Sequence, residues 1–353
     1  MNGPARVLLV DDSAFVRRAT ERMLAPLAEV TVVGTATDGE DAVRQVAALR
    51  PDLVIMDVDM PGLNGVAALE RIMKECPTRV LLLSSHTREG AEVTLRALEA
   101  GAVDFVDKTG AGAAMDIHGL APVLRAKVLG IVGAMGAEPA PPPTPAPVPS
   151  APVRRAVFTS ANPGVYQVVA IGASTGGPRA LAELIPALPA GFAAGVVVAQ
   201  HMPAGFTDTL AARLDRNSAL RVSEARDGDA VVPGVVLVAP GGRQMSVERA
   251  GDGSLSVRVW DEPGHLHRPS VDLLFRSVAR AAGARSVAVV LTGMGSDGAQ
   301  GAALIRAAGG RTLVESAETA VIDGMPGAAR AVAEQDLPLG RIAAALALLC
   351  GAS

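Results

Sequence analysis

The sequence of 353 residues is long enough for two domains, and 49% of its residues are hydrophobic, enough to fill two sizeable cores. Its formal net charge is −4, and neither half has the basic excess that is typical of a nucleic-acid-binding protein. No apolar run reaches the roughly 20 residues of a membrane span, and two cysteines without a CxxC pair fit a reducing compartment, so a cytoplasmic location without membrane insertion is expected.

The first part of the chain alternates short apolar runs with segments of helical periodicity. The predicted strands are 6–10, 30–36, 52–56, 79–84 and 104–106, and the predicted helices are 15–27, 38–49, 65–74, 92–100 and 121–134. Because the apolar runs do not alternate with polar residues, they indicate strands buried on both faces of a parallel sheet. The sequence therefore predicts a doubly wound α/β domain over residues 4–134.

A tract rich in proline and alanine, GAEPAPPPTPAPVPSAPV, follows at 136–153 and predicts a semi-rigid, extended linker over 135–160. Residues 161–353 alternate again. The predicted strands are 167–171, 195–200, 235–239, 287–292 and 311–315, the predicted helices are 178–187, 206–215, 271–281, 299–308 and 339–350, and a hairpin is predicted at 243–260. This pattern predicts a second doubly wound α/β domain with a mainly parallel sheet and a β-hairpin insertion.

Polar residues stand at the ends of four predicted strands in the first domain. Asp11 and Asp12 follow the first strand, Asp57 the third, Ser84 ends the fourth and Lys108 follows the fifth. The carboxyl ends of parallel strands share one edge of the sheet, where ligands bind. Clustered carboxylates repel one another, so a hard divalent cation such as Mg²⁺ is expected among them. The lysine and serine suit a bound phosphoryl group, and an aspartate can accept phosphate as an acyl phosphate.

These segments, LLVDDSAFVRR, DLVIMDVDMPGLNG and LLLSS, resemble the receiver domains of response regulators over about 120 residues. The resemblance implies a flavodoxin-like fold, a histidine kinase as phosphodonor and Asp57 as phosphoacceptor. It also implies that Asp12, Asp57 and the backbone carbonyl of Asp59 hold Mg²⁺, with Asp11 behind them. One departure is Thr109, which stands where receivers usually have proline.

The same resemblance implies a switch that responds to phosphorylation. Its members are Ser84, Phe105 and Lys108.

The segment IGASTGGP at 171–178 reads as a strand, a glycine turn and a helix, and it leaves three interpretations for Ser174. A dinucleotide site is disfavoured because the required Tyr-x-x-x-Lys pair is absent. A helix cap by Ser174 or Thr175 is ordinary chemistry. A nucleophile fits the G-x-S-x-G pattern, in which small neighbours permit a strained turn.

Two further residues favour the nucleophile. His201 follows one predicted strand and Asp297 lies in a glycine-rich turn after another, so serine, histidine and aspartate meet at one edge of the sheet. His265 and His267 are alternative bases, but they lie in a predicted loop and rank below His201. The order Ser, His, Asp differs from the order Ser, Asp, His of the α/β-hydrolases.

Four motifs, IGASTGGP, QHMPAGFT, HRPSVDLLF and LTGMGSDGAQG, resemble the chemotaxis receptor methylesterases, the CheB family, so that nearly the whole chain apart from the linker is covered. The resemblance implies a Rossmann-like domain that hydrolyses glutamate methyl esters, and deamidates glutamines, on cytoplasmic helices of a chemoreceptor. It implies an acyl-enzyme mechanism without a cofactor, with Ser174 as nucleophile, His201 as base and Asp297 as its orienting acid.

The resemblance further implies the backbone N–H of Met294 as oxyanion donor. Thr175, His267 and Arg268 become substrate-binding candidates. The alternative is a non-catalytic regulator whose second domain only binds a receptor or another partner, and the intact triad argues against it.

Overall fold

The computed structural model describes residues 3–85, 87–108, 117–134 and 166–351. The chain divides into two compact units, Met1–Pro142 and Pro143–Ser353. The predicted linker, 135–160, and Thr109 lie outside the described residues. The predicted domain limits, 4–134 and 161–353, therefore stay predictions.

One parallel sheet of five strands forms the centre of the first unit. The strands are β1 (Ala5–Val10), β2 (Val30–Ala36), β3 (Leu53–Asp57), β4 (Arg79–Ser84) and β5 (Asp104–Asp107). The helices are α1 (Ala14–Leu24), α2 (Gly39–Leu49), α3 (Gly65–Glu75), α4 (Arg88–Glu99) and α5 (Ile117–Gly133). The strand order is β2-β1-β3-β4-β5. Helix α1 packs against α5, whereas α2, α3 and α4 pack side by side, which confirms the doubly wound arrangement.

Side chains at the helix starts explain the boundaries in this unit. Ser13, Asp38, Asn64 and Thr87 each accept a hydrogen bond from a backbone N–H of the first turn that follows. Helix α4 therefore begins four residues before the predicted start at 92, and α5 begins at 117 instead of 121. The predicted start of α4 was wrong because its polar first turn carries no apolar periodicity.

The described part of the second unit contains seven parallel strands and one separate hairpin. The strands of the sheet are β6 (Val168–Ala173), β7 (Gly195–Gln200), β8 (Arg221–Glu224), β9 (Val235–Val238), β12 (Ser286–Val290), β13 (Arg311–Glu315) and β14 (Gln335–Leu337), and the hairpin is β10 (Gln244–Arg249) with β11 (Leu255–Trp260). The helices are α6 (Gly177–Leu184), α7 (Thr207–Asn217), α8 (Val271–Ala282), α9 (Ala299–Ala307), α10 (Gly324–Ala329) and α11 (Leu339–Cys350). The strand order is β14-β13-β12-β6-β7-β9-β8.

This order places β12, β6 and β7 side by side in the middle of the sheet. The chain leaves β6 towards β7 and later returns to β12 on the other side of β6, so a topological switch point opens between β6 and β12. Helix α6 packs with α7 and α11, whereas α8 packs with α9 and with β10. Helices therefore cover both faces, and the mainly parallel α/β fold with a hairpin insertion is confirmed.

Three short elements escaped the sequence analysis. Strand β8 carries the sequence RVSE and β14 the sequence QDL, which lack an apolar run because both lie at an edge of the sheet. Helix α10 contains Gly324, Pro326 and Gly327, a composition that favours turns.

None of the described helices combines the length and the apolar composition that a bilayer crossing demands.

Candidate functional site

The first cluster lies at the switch point between β1 and β3. Carboxylate oxygens of Asp11, Asp12 and Asp57 all lie within 4.8 Å of one another. Asp11 and Asp57 are buried, and the Nζ atom of Lys108 donates to Oδ1 of Asp57 at 2.7 Å. The predicted convergence of these four side chains is therefore present in the structure.

Burial controls the electrostatics of this cluster. It raises the pKa of Asp11 to about 6, with a smaller contribution from the charge of Asp57. Burial also raises the pKa of Asp57, against the hydrogen bond and charge of Lys108. The buried Oδ2 atom of Asp11 has no hydrogen-bond partner among the described residues. A carboxylate oxygen without a donor in a buried acidic cluster fits a hard cation such as Mg²⁺, which takes oxygen ligands.

Asp59 lies beside this cluster. Its backbone N–H donates to Oδ1 of Asp57 at 3.2 Å, and its carboxylate accepts from Ser85 at 3.0 Å. The backbone of Asp59 therefore approaches the phosphoacceptor candidate, whereas its side chain is engaged at the rim.

Two of the three predicted switch residues, Ser84 and Phe105, lie on the adjacent strands β4 and β5 and are both buried. The Ser84 hydroxyl lies 2.5 Å from the hydroxyl of Thr94 on α4, which in turn donates to the carbonyl of Gly90. The Nζ atom of Lys127 lies 5.9 Å from the centroid of the Phe105 ring. In this structure the Ser84 hydroxyl is thus hydrogen-bonded to α4.

The second cluster surrounds the turn between β6 and α6. Ser174 follows the last residue of β6, and its backbone N–H donates to the carbonyl of Thr292 at 3.0 Å. Gly176 has a φ of +81° and lies against Val321, so a side chain there would be strained and crowded. The N-cap of α6 is Gly176, without a side-chain hydrogen bond. The capping interpretation of Ser174 therefore finds no support among the described contacts.

His201 follows β7, directly beside the serine turn. Its backbone N–H donates to the carbonyl of Ala173, which continues the pairing of β6 with β7. Its Nε2 atom lies 2.8 Å from Oδ2 of Asp297, and both side chains are largely buried. With Nε2–H donated to the carboxylate, the lone pair of the neutral imidazole resides on Nδ1, the nitrogen that can then accept a proton.

Asp297 lies at the N-terminus of α8. Its carboxylate accepts from the backbone N–H groups of Val271 and Asp272, both at 2.8 Å, and from the hydroxyl of Ser270 at 3.2 Å. Burial alone would raise the pKa of Asp297, but the hydrogen bond and charge of His201 and the two amide donors outweigh it and lower the pKa to about 2. Asp297 is therefore a fixed anion that holds one tautomer of His201.

A second imidazole covers the face of His201. The rings of His201 and His267 are stacked, with centroids 4.4 Å apart and planes 6° from parallel. Burial, and then the charge of His201, lower the pKa of His267, which favours its neutral form. Arg268 next to it is exposed.

The remaining predicted residues lie close to the serine turn. Thr175 is buried, and its carbonyl accepts from the Thr292 hydroxyl at 2.9 Å. Met294 is half-buried in the loop after β12. The preceding Gly293 approaches the serine so closely that a Cβ atom built on it would lie 2.8 Å from Cβ of Ser174. The roles assigned to Thr175, Met294, His267 and Arg268 stay predictions.

Sequence reasoning missed three buried polar side chains in this unit, those of Gln200, Thr292 and Glu315. Gln200 donates to the carbonyls of Ser174 and His201 at 2.9 and 3.1 Å. Glu315, at the end of β13, accepts from the backbone N–H of Thr292 at 2.8 Å, and burial raises its pKa to about 7. The sequence signal was available, since all three residues end or follow predicted strands at the edge that carries Ser174.

Comparison with known proteins identifies both units. The family described as CheB methylesterase matches residues 169–346, and the response regulator receiver domain matches residues 7–116. A protein-glutamate methylesterase/protein-glutamine glutaminase of Symbiobacterium thermophilum is 46% identical, over 99% of this chain and 98% of its own. The protein-glutamate methylesterase/protein-glutamine glutaminase 2 of Pseudomonas aeruginosa is 44% identical, over 97% of this chain and 96% of its own. The crystal structure of the Thermotoga maritima CheB methylesterase catalytic domain is 41% identical and covers 52% of this chain and 98% of that one, with a TM-score of 0.50.

Proposed function

The chain belongs to the CheB methylesterase family, and we propose that it hydrolyses glutamate methyl esters, and deamidates glutamines, on the cytoplasmic helices of a chemoreceptor. The single observation that supports this most is the His201–Asp297 pair beside the Ser174 turn. A nucleophile, a base and a buried anion that orients the base are the parts that acyl transfer requires.

In the proposed mechanism, Nδ1 of His201 takes the proton of the Ser174 hydroxyl while the serine oxygen attacks the ester carbonyl carbon. The resulting imidazolium is stabilised by the Asp297 carboxylate, which stays ionised because its pKa is about 2. His201 then gives its proton to the leaving methoxide, and methanol departs from an acyl-enzyme. Water, deprotonated by His201, releases the glutamate and restores the serine. With glutamine as substrate, ammonia leaves in the first step.

The oxyanion of the tetrahedral intermediate requires N–H donors near the serine. The backbone N–H of Met294 is proposed as one, because the loop that carries it lies against Ser174 at Gly293. The N-terminus of α6 contributes its positive dipole end immediately after the serine. Thr175, His267 and Arg268 are proposed to contact the receptor glutamate side chain and its surroundings.

The receiver domain is proposed to control this activity through phosphorylation of Asp57 by a chemotaxis-type histidine kinase. Asp12, Asp57 and the carbonyl of Asp59, with Asp11 behind them, would hold Mg²⁺, which neutralises charge on the transferring phosphoryl group when bound. Lys108 already contacts Asp57 at 2.7 Å and would pair with the phosphate. Ser84 would turn from Thr94 towards the phosphoryl oxygens, and the adjacent Phe105 would repack with it.

A cytoplasmic location is proposed for this enzyme. Its proposed substrate lies on cytoplasmic receptor helices, and its two cysteines are buried free thiols, which suits a reducing compartment.

Methanol release from a methylated receptor fragment tests the catalytic assignment. Ser174→Ala should lose activity by at least about 1,000-fold, because the nucleophile and its base act as a unit. The matched control is Ser254→Ala, an exposed serine in the hairpin turn, which should keep wild-type turnover. Turnover above a tenth of wild type in folded Ser174→Ala would exclude Ser174 as the nucleophile, whereas the absence of methanol release from wild type would favour the partner-binding role.

A further inference from the structure

One side chain connects the nucleophile candidate to the base candidate. Gln200 is the last residue of β7, pairs with Ala173 of β6 and is 1% exposed. Its Nε2 atom donates to the carbonyl oxygen of Ser174 at 2.9 Å and to that of His201 at 3.1 Å. Both protons of one amide group are thereby used on the two residues whose side chains are proposed to react.

The orientation of this amide is determined by its surroundings. If the amide were turned by 180°, its oxygen would face two carbonyl oxygens without a hydrogen between them. In the observed orientation, Oε1 points towards the first residue of α6: a Cβ atom built on Gly177 would lie 2.0 Å from it. Glycine at 177 therefore makes room for the Gln200 amide.

The Gln200 amide is not explained by packing alone. Its buried Oε1 atom has no hydrogen-bond partner among the described residues. A buried acceptor without a donor is unfavourable, and an apolar side chain of similar length would avoid it. What glutamine adds at this position is the pair of donated hydrogen bonds.

We propose that Gln200 is a positioning residue for the hydrolase reaction, one that fixes the separation of Ser174 and His201 through their backbone carbonyls. The backbone of Ser174 is then held from two sides: its N–H donates to the carbonyl of Thr292, and its carbonyl accepts from the Gln200 amide and from the backbone N–H of Gly177 at 2.8 Å. Gln200 acts through these residues and takes no part in bond making. This inference rests on the proposed function, in which Ser174 and His201 react.

The test compares Gln200→Met with wild type in the full-length protein. Methionine has similar length but donates no hydrogen bond, so kcat for ester hydrolysis should fall by roughly 10- to 100-fold with KM nearly unchanged. The rate at which a fluorophosphonate probe labels Ser174 should fall by the same factor. Labelling reports the alignment of serine and base without the receptor, so a role in stability alone would not move it.

The matched control is Gln167→Met. Gln167 lies at the opposite edge of the sheet, just before β6, and also uses its side-chain amide in a hydrogen bond, with Arg249 at 2.7 Å. In this variant, the rate of fluorophosphonate labelling of Ser174 and kcat for ester hydrolysis should both equal those of wild type.

Thermal unfolding by circular dichroism establishes that Gln200→Met is folded at the assay temperature. If it is not, Gln200→Leu replaces it: this apolar side chain is smaller, cannot donate, and should show the same losses. A folded variant with wild-type labelling and kcat overturns the proposal for Gln200. Ser174→Ala is assayed in parallel, and if it stays active, Ser174 is not the nucleophile and the premise of this inference fails independently of Gln200.

Discussion

Replacing Asp297 by asparagine should disable the base while leaving the site nearly isosteric. Oδ2 of Asp297 faces Nε2 of His201 and the N–H of Val271, whereas Oδ1 faces the N–H of Asp272 and the hydroxyl of Ser270. An asparagine has one accepting oxygen and must therefore place its own N–H₂ group against one of the two backbone N–H groups.

Both orientations of the asparagine harm catalysis. With the amide nitrogen towards His201, Nε2 must accept a hydrogen bond, the ring proton moves to Nδ1 and the base is lost. With the oxygen towards His201 the tautomer survives, but no anion remains to stabilise the imidazolium.

The depression of the Asp297 pKa from 3.8 to about 2 sets the scale of the second effect. It corresponds to about 2 kcal/mol, or roughly 30-fold in rate. Loss of the correct His201 tautomer has the larger effect. The equivalent aspartate-to-asparagine change in the catalytic triad of trypsin lowers kcat by about 10,000-fold.

We therefore expect Asp297→Asn to lower kcat between about 30- and 10,000-fold, with a similar fall in fluorophosphonate labelling of Ser174. It should also lose about 1–3 kcal/mol of stability, because one buried N–H group of α8 loses its acceptor. Since the pKa of Asp297 is lower in the folded state than in the unfolded state, its contribution is present above about pH 4 and lost as the pH falls towards 2. The stability difference between wild type and variant should shrink over that interval.

Steady-state kinetics and urea unfolding measure both quantities. Asp261→Asn is the control, because this exposed carboxylate in the same unit contacts only Arg243 among the described ion pairs. A kcat for Asp297→Asn within threefold of wild type, in a folded protein, refutes the reasoning about the base.

Three further outcomes are expected. Asp57→Asn should abolish activation by a small-molecule phosphodonor, whereas wild type should gain about tenfold, a shift of about 1.4 kcal/mol; equal activation of both proteins excludes Asp57 as phosphoacceptor. Burial raises the pKa of Glu315 from 4.5 to about 7, so wild type should lose up to about 3 kcal/mol of stability as pH rises through that window; chemical unfolding should show Glu315→Gln without that part of the pH dependence. Gly177→Ala would place a Cβ atom 2.0 Å from Oε1 of Gln200 and should lower kcat by about tenfold or more, whereas Gly251→Ala, with open space around it, should not.

Most of the architecture could be predicted because buried parallel strands are recorded directly in the sequence as unbroken apolar runs. Strand β7 and strand β13 agree with their predicted limits. Edge strands β8 and β14 have one solvated side and few residues, so they carry no comparable run. Helix α4 was predicted too short for a related reason, since its first turn is stabilised by the hydroxyl of Thr87 and not by core packing.

The candidate site could be predicted as a set of residues but not as a set of contacts. The positions of Ser174, His201 and Asp297 after strands indicated one shared edge. Which imidazole nitrogen faces the carboxylate depends on where α8 starts, and the stacking of His267 depends on a loop conformation. Neither of these has a local sequence signal.

The strand order explains how serine, histidine and aspartate, in this unusual chain order, come together at one edge of the sheet. Because β7 and β12 flank β6, His201 and the loop that carries Met294 approach the serine turn from opposite sides. Asp297 lies in the loop after β12, whereas His201 follows β7 on the other side of β6. The carboxylate of Asp297 reaches His201 because it is bound by the N-terminus of α8, a helix that packs against β6. A helix start thus holds the acid where an α/β-hydrolase would use a strand end. Any change that moves the first turn of α8 should therefore impair the base before it impairs the nucleophile.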